Sequence, residues 1–382
     1  MSTPHLHGAL KKCGAIHSFG AGIVPPEPNG YERWAQSFRF VGMMKTVGRV
    51  QGVLIDVDTY LTDQSRRGRF GGAVHITRGG QVLLNQGYGA ADRQRMRPNT
   101  PQTAFQIASI SKQFTAAAIL LLQGRGALSV RDRLCARLAN CPPAWEAITV
   151  HHLLTHTSGI GHWKDFPTLS LFEPIPRAEF LRTFQRAPLL FAPGTRWAYS
   201  SPGYVLLAHL VEQTVGEPLA TFLARAVFAP LGMASTGVET VAPWPEQASI
   251  GYSAGRPAPV FDLDSLGIGT GDIWSTTGDM ARWDAALMAA GILDADARHA
   301  MFTPQADTTD TLPSGEAIRY GYGWFLAEVQ GHRLVYHPGD NAGYHAFNAC
   351  LPDDEAAVIV LTNDEEIDTD ALGLRLVHEV LR

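Results

Sequence analysis

The chain has 382 residues, 45% of them hydrophobic and 18% charged, enough for one large domain or two lobes around a sizeable core. Its net charge of −5, with arginines scattered rather than clustered, leaves no basic footprint for nucleic acid or an anionic membrane. No run of about 18 apolar residues offers a membrane span, and the N-terminus lacks a basic segment leading into an apolar core with a cleavage site, so a cytoplasmic protein is expected.

In chain order, residues 1–53 are rich in Gly, Pro and mixed polar residues and read as an N-terminal extension. A helix is expected from Leu54 to Arg67. A hairpin follows: Gly72–Thr77, a turn at Arg78-Gly79-Gly80, and Gln81–Gln86. From Phe114 to Leu122 only Thr115 interrupts an apolar run, the pattern of a helix buried on all sides. From Ser129 to about Val241 the reading is helical with Pro and Gly breaks, including a capped helix from Thr149 to Gly159. A further helix is expected over 277–290. Strands are expected at Gly323–Val329, His332–Tyr336, Tyr344–Leu351 and Ala356–Thr362, and a closing amphipathic helix at Ile367–Leu381. The fold class is therefore α/β (α+β), an antiparallel sheet built from both chain ends and flanked by helices. The sheet lobe covers about 54–125 and 291–382, and a mainly helical lobe is inserted at about 126–290. The four cysteines (Cys13, Cys135, Cys141, Cys350) show neither metal-ligand spacing nor a disulfide framework.

Chemistry concentrates ahead of the buried helix. Ser109 and Lys112 are three apart, so helical geometry places the hydroxyl beside the amine. A buried lysine loses its proton readily, and a neutral amine beside a hydroxyl is a general base next to a nucleophile. An S-x-x-K match alone arises by chance on the order of once in a chain this long, so the context has to carry the assignment. Tyr199 ends a loop before a helix near Pro202; a cleft tyrosine near a lysine can hold a depressed pKa and shuttle protons. His337-Pro338-Gly339 closes a strand, where glycine lets substrate lie against an edge whose N–H can bond an oxyanion. His151, His152 and His156 form a trio in which the last two sit one helical turn apart, but no third ligand is spaced to complete a metal site. Packing and capping are their expected roles; no metal or cofactor is expected.

Taken in order, these stretches resemble the serine β-lactamase-like family, which includes class C β-lactamases, D-alanyl-D-alanine carboxypeptidases, D-aminopeptidases, related esterases and some acyltransferases. Ser109-Ile-Ser-Lys112 matches its S-x-x-K. Tyr199-Ser200-Ser201 resembles its Tyr-x-Asn, and His337-Pro338-Gly339 its Lys/His-x-Gly. The resemblance covers about residues 54–382. It implies a β-lactamase/transpeptidase-like fold in which Ser109 attacks a carbonyl while Lys112 and Tyr199 manage its proton. The oxyanion would sit between the backbone N–H of Ser109 and that of Asp340, just after Gly339. His337 would tune the cleft, and Trp163, Tyr344 and His345 are candidate cleft liners.

Two departures bear on substrate. Ser201 stands where the family usually has an amide donor, and a hydroxyl is shorter with one donor. Pro338 donates no hydrogen bond and the third triplet lacks lysine, which weakens the usual grip on a penicillin or peptide carboxylate. The expected partner is a small-molecule ester or amide. Hydrolysis and transfer to an amine or hydroxyl acceptor both remain open, and a non-catalytic binding relative is the rival from another class.

Overall fold

The computed structural model describes residues 50–238, 247–259, 268–289 and 291–382. The expected N-terminal extension lies almost wholly outside these residues. Helix α1 (Val50–Arg66) leads into β1 (Gly72–Arg78) and β2 (Gln81–Tyr88), joined at Gly79-Gly80. Both glycines have positive φ (53° and 72°), as a two-residue hairpin turn requires.

The other strands of the sheet come from the C-terminal part of the chain. They are β3 (Ala306–Thr311), β4 (Ala317–Tyr320), β5 (Phe325–Val329), β6 (His332–Asn341), β7 (Tyr344–Leu351) and β8 (Ala356–Thr362). The sheet has eight strands in the order β3-β4-β5-β6-β7-β8-β1-β2, and every pair is antiparallel. Both chain ends build it, with β1 beside β8 in register Gly72 to Thr362. Every residue of β8 is buried, because both faces of the sheet are covered. Ala357, Ile359 and Leu361 join the large core. By strand alternation Val358 and Val360 face the opposite side. On that side, in helix α8 (Thr369–Leu381), Gly373 lies so close to Phe347 that a Cβ would sit 2.1 Å from the ring.

The core centres on helix α2 (Ser111–Gly124), a run of strong helix formers. Residues Ser111 to Leu120 are all buried. It packs against helix α5 (Ser201–Val215). Helix α5 is bounded by local chemistry: the Ser200 hydroxyl accepts the N–H of Gly203, Pro202 occupies the first turn, and Gly216 ends it in the left-handed conformation.

The region between α2 and α5 is less helical than expected. It holds α3 (Val150–Leu154), α4 (Arg177–Arg186) and short turns. Helix α3 starts as expected, with Thr149 and His152 exchanging backbone-to-side-chain hydrogen bonds. It stops at Leu154, short of Gly159. The Thr155 hydroxyl turns back onto the His151 carbonyl at 2.8 Å, side-chain bonding that competes with the helical ladder. His156 then adopts φ +58°, so His152 and His156 do not share a helical turn. Among the described residues no group of three His, Cys, Asp or Glu side chains could hold a metal ion. The cysteine reading also needs correction, because Cys135 and Cys141 form a disulfide with Cα atoms 5.2 Å apart. Their six-residue spacing lies within one surface loop and carries no recognisable pattern. Helix α6 (Thr277–Met288) and helix α7 (Ala295–Phe302) complete the main elements. No described helix is long and apolar enough to cross a membrane.

Candidate active site

Ser109 lies in a single 3-10 turn, Ala108–Ile110, that runs directly into α2. Ala108 is buried with φ +48°, a sparsely populated conformation for a residue with a side chain, held by the packing around it. Lys112, one turn on, is completely buried (0% exposed). Its Nζ lies 3.0 Å from Ser109 Oγ and donates to the Thr270 carbonyl at 2.9 Å. Burial holds the amine well below the ordinary lysine value, and the Asp272 carboxylate opposes that shift. The neutral amine is thereby made accessible.

Tyr199 precedes the cap of α5 and is bracketed by two histidines. The N–H of Ser200 donates to His156 Nδ1 at 3.1 Å, and the N–H of Ser201 donates to His162 Nδ1 at 3.2 Å. Each ring accepts through Nδ1, so each is neutral with its proton on Nε2. Burial, then the nearby Lys112, holds His156 well below the usual histidine value and takes His162 down to about 3. Residue Tyr199 is only half-buried, but its hydroxyl is enclosed and hydrogen-bonds with the Ser109 side chain. The depressed pKa expected for this tyrosine is not found. Burial raises it, the Ser109 hydrogen bond offsets only part of that, and the Asp340 charge adds to it. The phenol is protonated at neutral pH. Lys112 Nζ stands 5.1 Å from the Tyr199 ring centre and 5.9 Å from that of Tyr204.

His337 enters from β6. Its Nδ1–H donates to the Pro338 carbonyl at 2.6 Å, which leaves Nε2 to accept the Tyr320 hydroxyl at 3.2 Å. Burial, reinforced by Lys112, takes this ring down to about 3, so it carries no charge at neutral pH.

Strand β5 pairs with β6 only as far as Tyr336, opposite Phe325, so residues 337–341 keep β7 as their sheet partner and turn their other edge towards the Ser109 turn. A proline is tolerated here because that edge is free of a ladder. Gly339 is needed for the approach, since a Cβ there would stand 2.4 Å from the Ile107 carbonyl oxygen and 3.2 Å from Ala108 Cβ. The Asn341 side chain pins the strand end to Gln106 Oε1 at 2.8 Å and to the Gly271 carbonyl at 2.9 Å. A half-buried serine on a fully buried lysine, an enclosed tyrosine hydroxyl and a strand edge thus converge on one point.

The β-lactamase family model matches residues 56–382. The chain belongs to the β-lactamase family. Penicillin-binding protein 4* of Bacillus subtilis (strain 168) is 31% identical over 322 residues, which cover 79% of this chain and 70% of that one. Esterase EstB of Burkholderia gladioli is 36% identical over 227 residues, 55% of this chain and 57% of its own length. The octameric penicillin-binding protein homologue from Pyrococcus abyssi superposes with a TM-score of 0.77 at 25% identity, over 86% of this chain and 77% of that one. The protein is a serine hydrolase of the β-lactamase family.

In this β-lactamase-family chain Ser109, Lys112, Tyr199, Ser201, His337, Gly339 and Asp340 all come together. Trp163 is half-buried beside His162 and stacks on Phe180. Tyr344 is buried elsewhere, with its ring against Gly251 and Trp274 and its hydroxyl donating to the Ser249 carbonyl at 2.7 Å. It does not line the cleft. His345 backs the site from behind: its Nε2 meets Asp340 Oδ1 at 3.2 Å and its Nδ1–H donates to the Ile367 carbonyl at 2.9 Å. Burial would depress this histidine, but the Asp340 hydrogen bond and charge outweigh it and bring it up to about 9. The sequence reading missed two groups, His162 and Asp272. His162 lies just past the His156 motif, and nothing in its spacing marks it. Asp272 lies just ahead of Trp274, and neither its spacing nor its burial, which Asp279 and Asp284 share, sets it apart.

Proposed function

We propose that this protein is an acyl-enzyme hydrolase of neutral small-molecule esters or amides, with Ser109 as its nucleophile. The observation that carries the reading is the fully buried Lys112 amine, 3.0 Å from Ser109 Oγ. Desolvation favours the form with a free lone pair, which takes the hydroxyl proton as Oγ attacks the carbonyl carbon. The developing oxyanion would be met by the N–H groups of Ser109 and Asp340, brought together by the close approach at Gly339. Tyr199, protonated and bonded to Ser109, supplies a proton to the leaving alcohol or amine and recovers one from Lys112. Water then resolves the acyl-serine by the reverse path.

The neutral state of His337 supports a substrate without a carboxylate to grip, because no fixed cation stands at this triplet. The relative named an esterase supports an ester among the substrates. The test is intact mass after mixing with p-nitrophenyl acetate, with and without added amines. A shift of about +42 Da (acetyl replacing the hydroxyl hydrogen) on Ser109, absent in Ser109→Ala, is the expected result. Faster loss of the adduct with amines, yielding amide, would identify transfer rather than hydrolysis. Unchanged turnover in Ser109→Ala would sink the assignment.

A further inference from the structure

Asp272 is nearly inaccessible (1% exposed) and closes the turn Gly269–Asp272, where its Oδ1 accepts the Gly269 N–H at 3.0 Å. The three carbonyls of this turn are all taken by side chains from the site's two halves. Gly269 O accepts the Thr115 hydroxyl at 2.7 Å, Thr270 O accepts Lys112 Nζ at 2.9 Å, and Gly271 O accepts Asn341 Nδ2 at 2.9 Å. The Ile273 N–H adds a bond to Ser111 Oγ at 3.2 Å. One turn therefore binds Ser111, Lys112 and Thr115 of the nucleophile helix to Asn341 at the end of β6. It cannot drift, because Gly269 has φ +68° and a Cβ there would stand 2.7 Å from Thr115 Oγ1 and 2.8 Å from Ala208 Cβ.

This geometry aims the base. A neutral amine has two N–H bonds and one lone pair. With one N–H held by the Thr270 carbonyl, the lone pair can face Ser109 Oγ. We propose that Asp272 is a positioning residue of this site: it closes the turn that holds the Thr270 carbonyl against Lys112, and its own charge governs how readily that amine gives up its proton. The proposal rests on the reading of Lys112 as the base. Burial brings the Asp272 carboxyl up to about 7 and lowers Lys112 against the pull of the Asp272 charge, so the protonation of each bears on the other. The other groups acting on the pair are His156, His162 and His337, all neutral, the rings of Tyr199 and Tyr204, whose hydroxyls burial raises, and the more distant Glu212, which raises Asp272.

The experiment is a titration of lysine side chains by NMR in protein carrying 13C-lysine, practical because the chain has only five lysines (11, 12, 45, 112 and 164). Asp272→Asn keeps the carbonyl oxygen that accepts from Gly269 and removes the charge. The Lys112 midpoint should move to lower pH by on the order of 1 unit in this variant, and the acid limb of kcat/KM should move with it. Asp272→Ala, which also opens the turn, should lower kcat by roughly 10- to 100-fold with little change in KM. Coincident Lys112 midpoints in wild type and a folded Asp272→Asn protein would overturn the proposal, as would wild-type kcat in Asp272→Ala. If wild type forms no acyl-serine, the function reading fails, but the NMR midpoint still decides the role of Asp272.

Discussion

Gly339→Ala puts the assembled site to its sharpest test. The added methyl would stand 2.4 Å from the Ile107 carbonyl oxygen, and ordinary contact begins near 3.4 Å, so strand and turn must part by about 1 Å. Both obstacles within reach on the turn, the Ile107 oxygen and Ala108 Cβ, belong to the segment that launches Ser109. The Ile107 carbonyl accepts the Ile110 N–H at 3.1 Å, and the Ile107 N–H donates to Ile273 at 2.9 Å. Displacement therefore falls on the turn carrying the proposed nucleophile and on the strand edge proposed to offer the second oxyanion donor. A misplacement of about 1 Å costs on the order of 10²-fold in rate, and overpacking costs about 1–3 kcal/mol of stability. The assay is kcat/KM for p-nitrophenyl acetate beside thermal melts, with Gly71→Ala as control, because a Cβ there meets nothing closer than 3.8 Å. The control should stay within about 0.5 kcal/mol of wild type. Near-wild-type turnover in Gly339→Ala with an unchanged melt would refute the idea that β6 and the Ser109 turn form one close-packed oxyanion site.

Two further outcomes follow from charge and covalent structure. The His345 pKa of about 9 in the fold exceeds its unfolded value of 6.5, so its stabilisation is fully present below pH 6.5 and is lost as pH rises through 9. His345→Asn should therefore destabilise most at pH 6, by roughly 1–2 kcal/mol once screening at the half-exposed Asp340 is allowed for, and least near pH 10. Chemical denaturation at both pH values checks this, and an equal loss at the two would contradict it. Opening the Cys135–Cys141 disulfide by paired substitution to Ala should cost about 2 kcal/mol, the figure for so short a loop, and leave kcat unchanged. A fall in kcat with an unchanged melt would reverse that view.

The parts of the site written as motifs were legible in the sequence: Ser109 with Lys112, Tyr199 before a proline-started helix, and His337 to Gly339 at a strand end. Each combines a reactive residue with the backbone signal that positions it. What stayed hidden was work done by ordinary residues through tertiary proximity. Asp272 acts by accepting the Gly269 N–H, closing a turn whose bonds to α2 join residues far apart in sequence, and His162 acts through the N–H of Ser201. No spacing rule sees either contact. The protonation state of Tyr199 is hidden for a related reason, because proximity to a lysine suggests a lowered pKa, while enclosure of the hydroxyl raises it. In the fold, β1, β2 and the last four strands announced themselves by apolar runs and glycine turns. Strands β3 and β4 did not, because Ala306-Asp-Thr-Thr-Asp-Thr311 is polar after its alanine and buries only Thr308, and Ala317-Ile-Arg-Tyr320 alternates over only four residues. The helix after Thr149 stops where the Thr155 hydroxyl turns back onto the His151 carbonyl and His156 swings to φ +58°.

The pairing of β1 with β8 also has a consequence for the making of the protein. Gly72 finds its partner only at Thr362, and Ser109 waits for an edge that ends at Asn341. On the ribosome the hairpin and the apolar nucleophile helix emerge early, with no sheet to cover them until the final strands are synthesised. The nascent chain is therefore both sticky and chemically silent for most of its synthesis, and a ribosome stalled before β8 releases a product with no intact sheet and no enzyme.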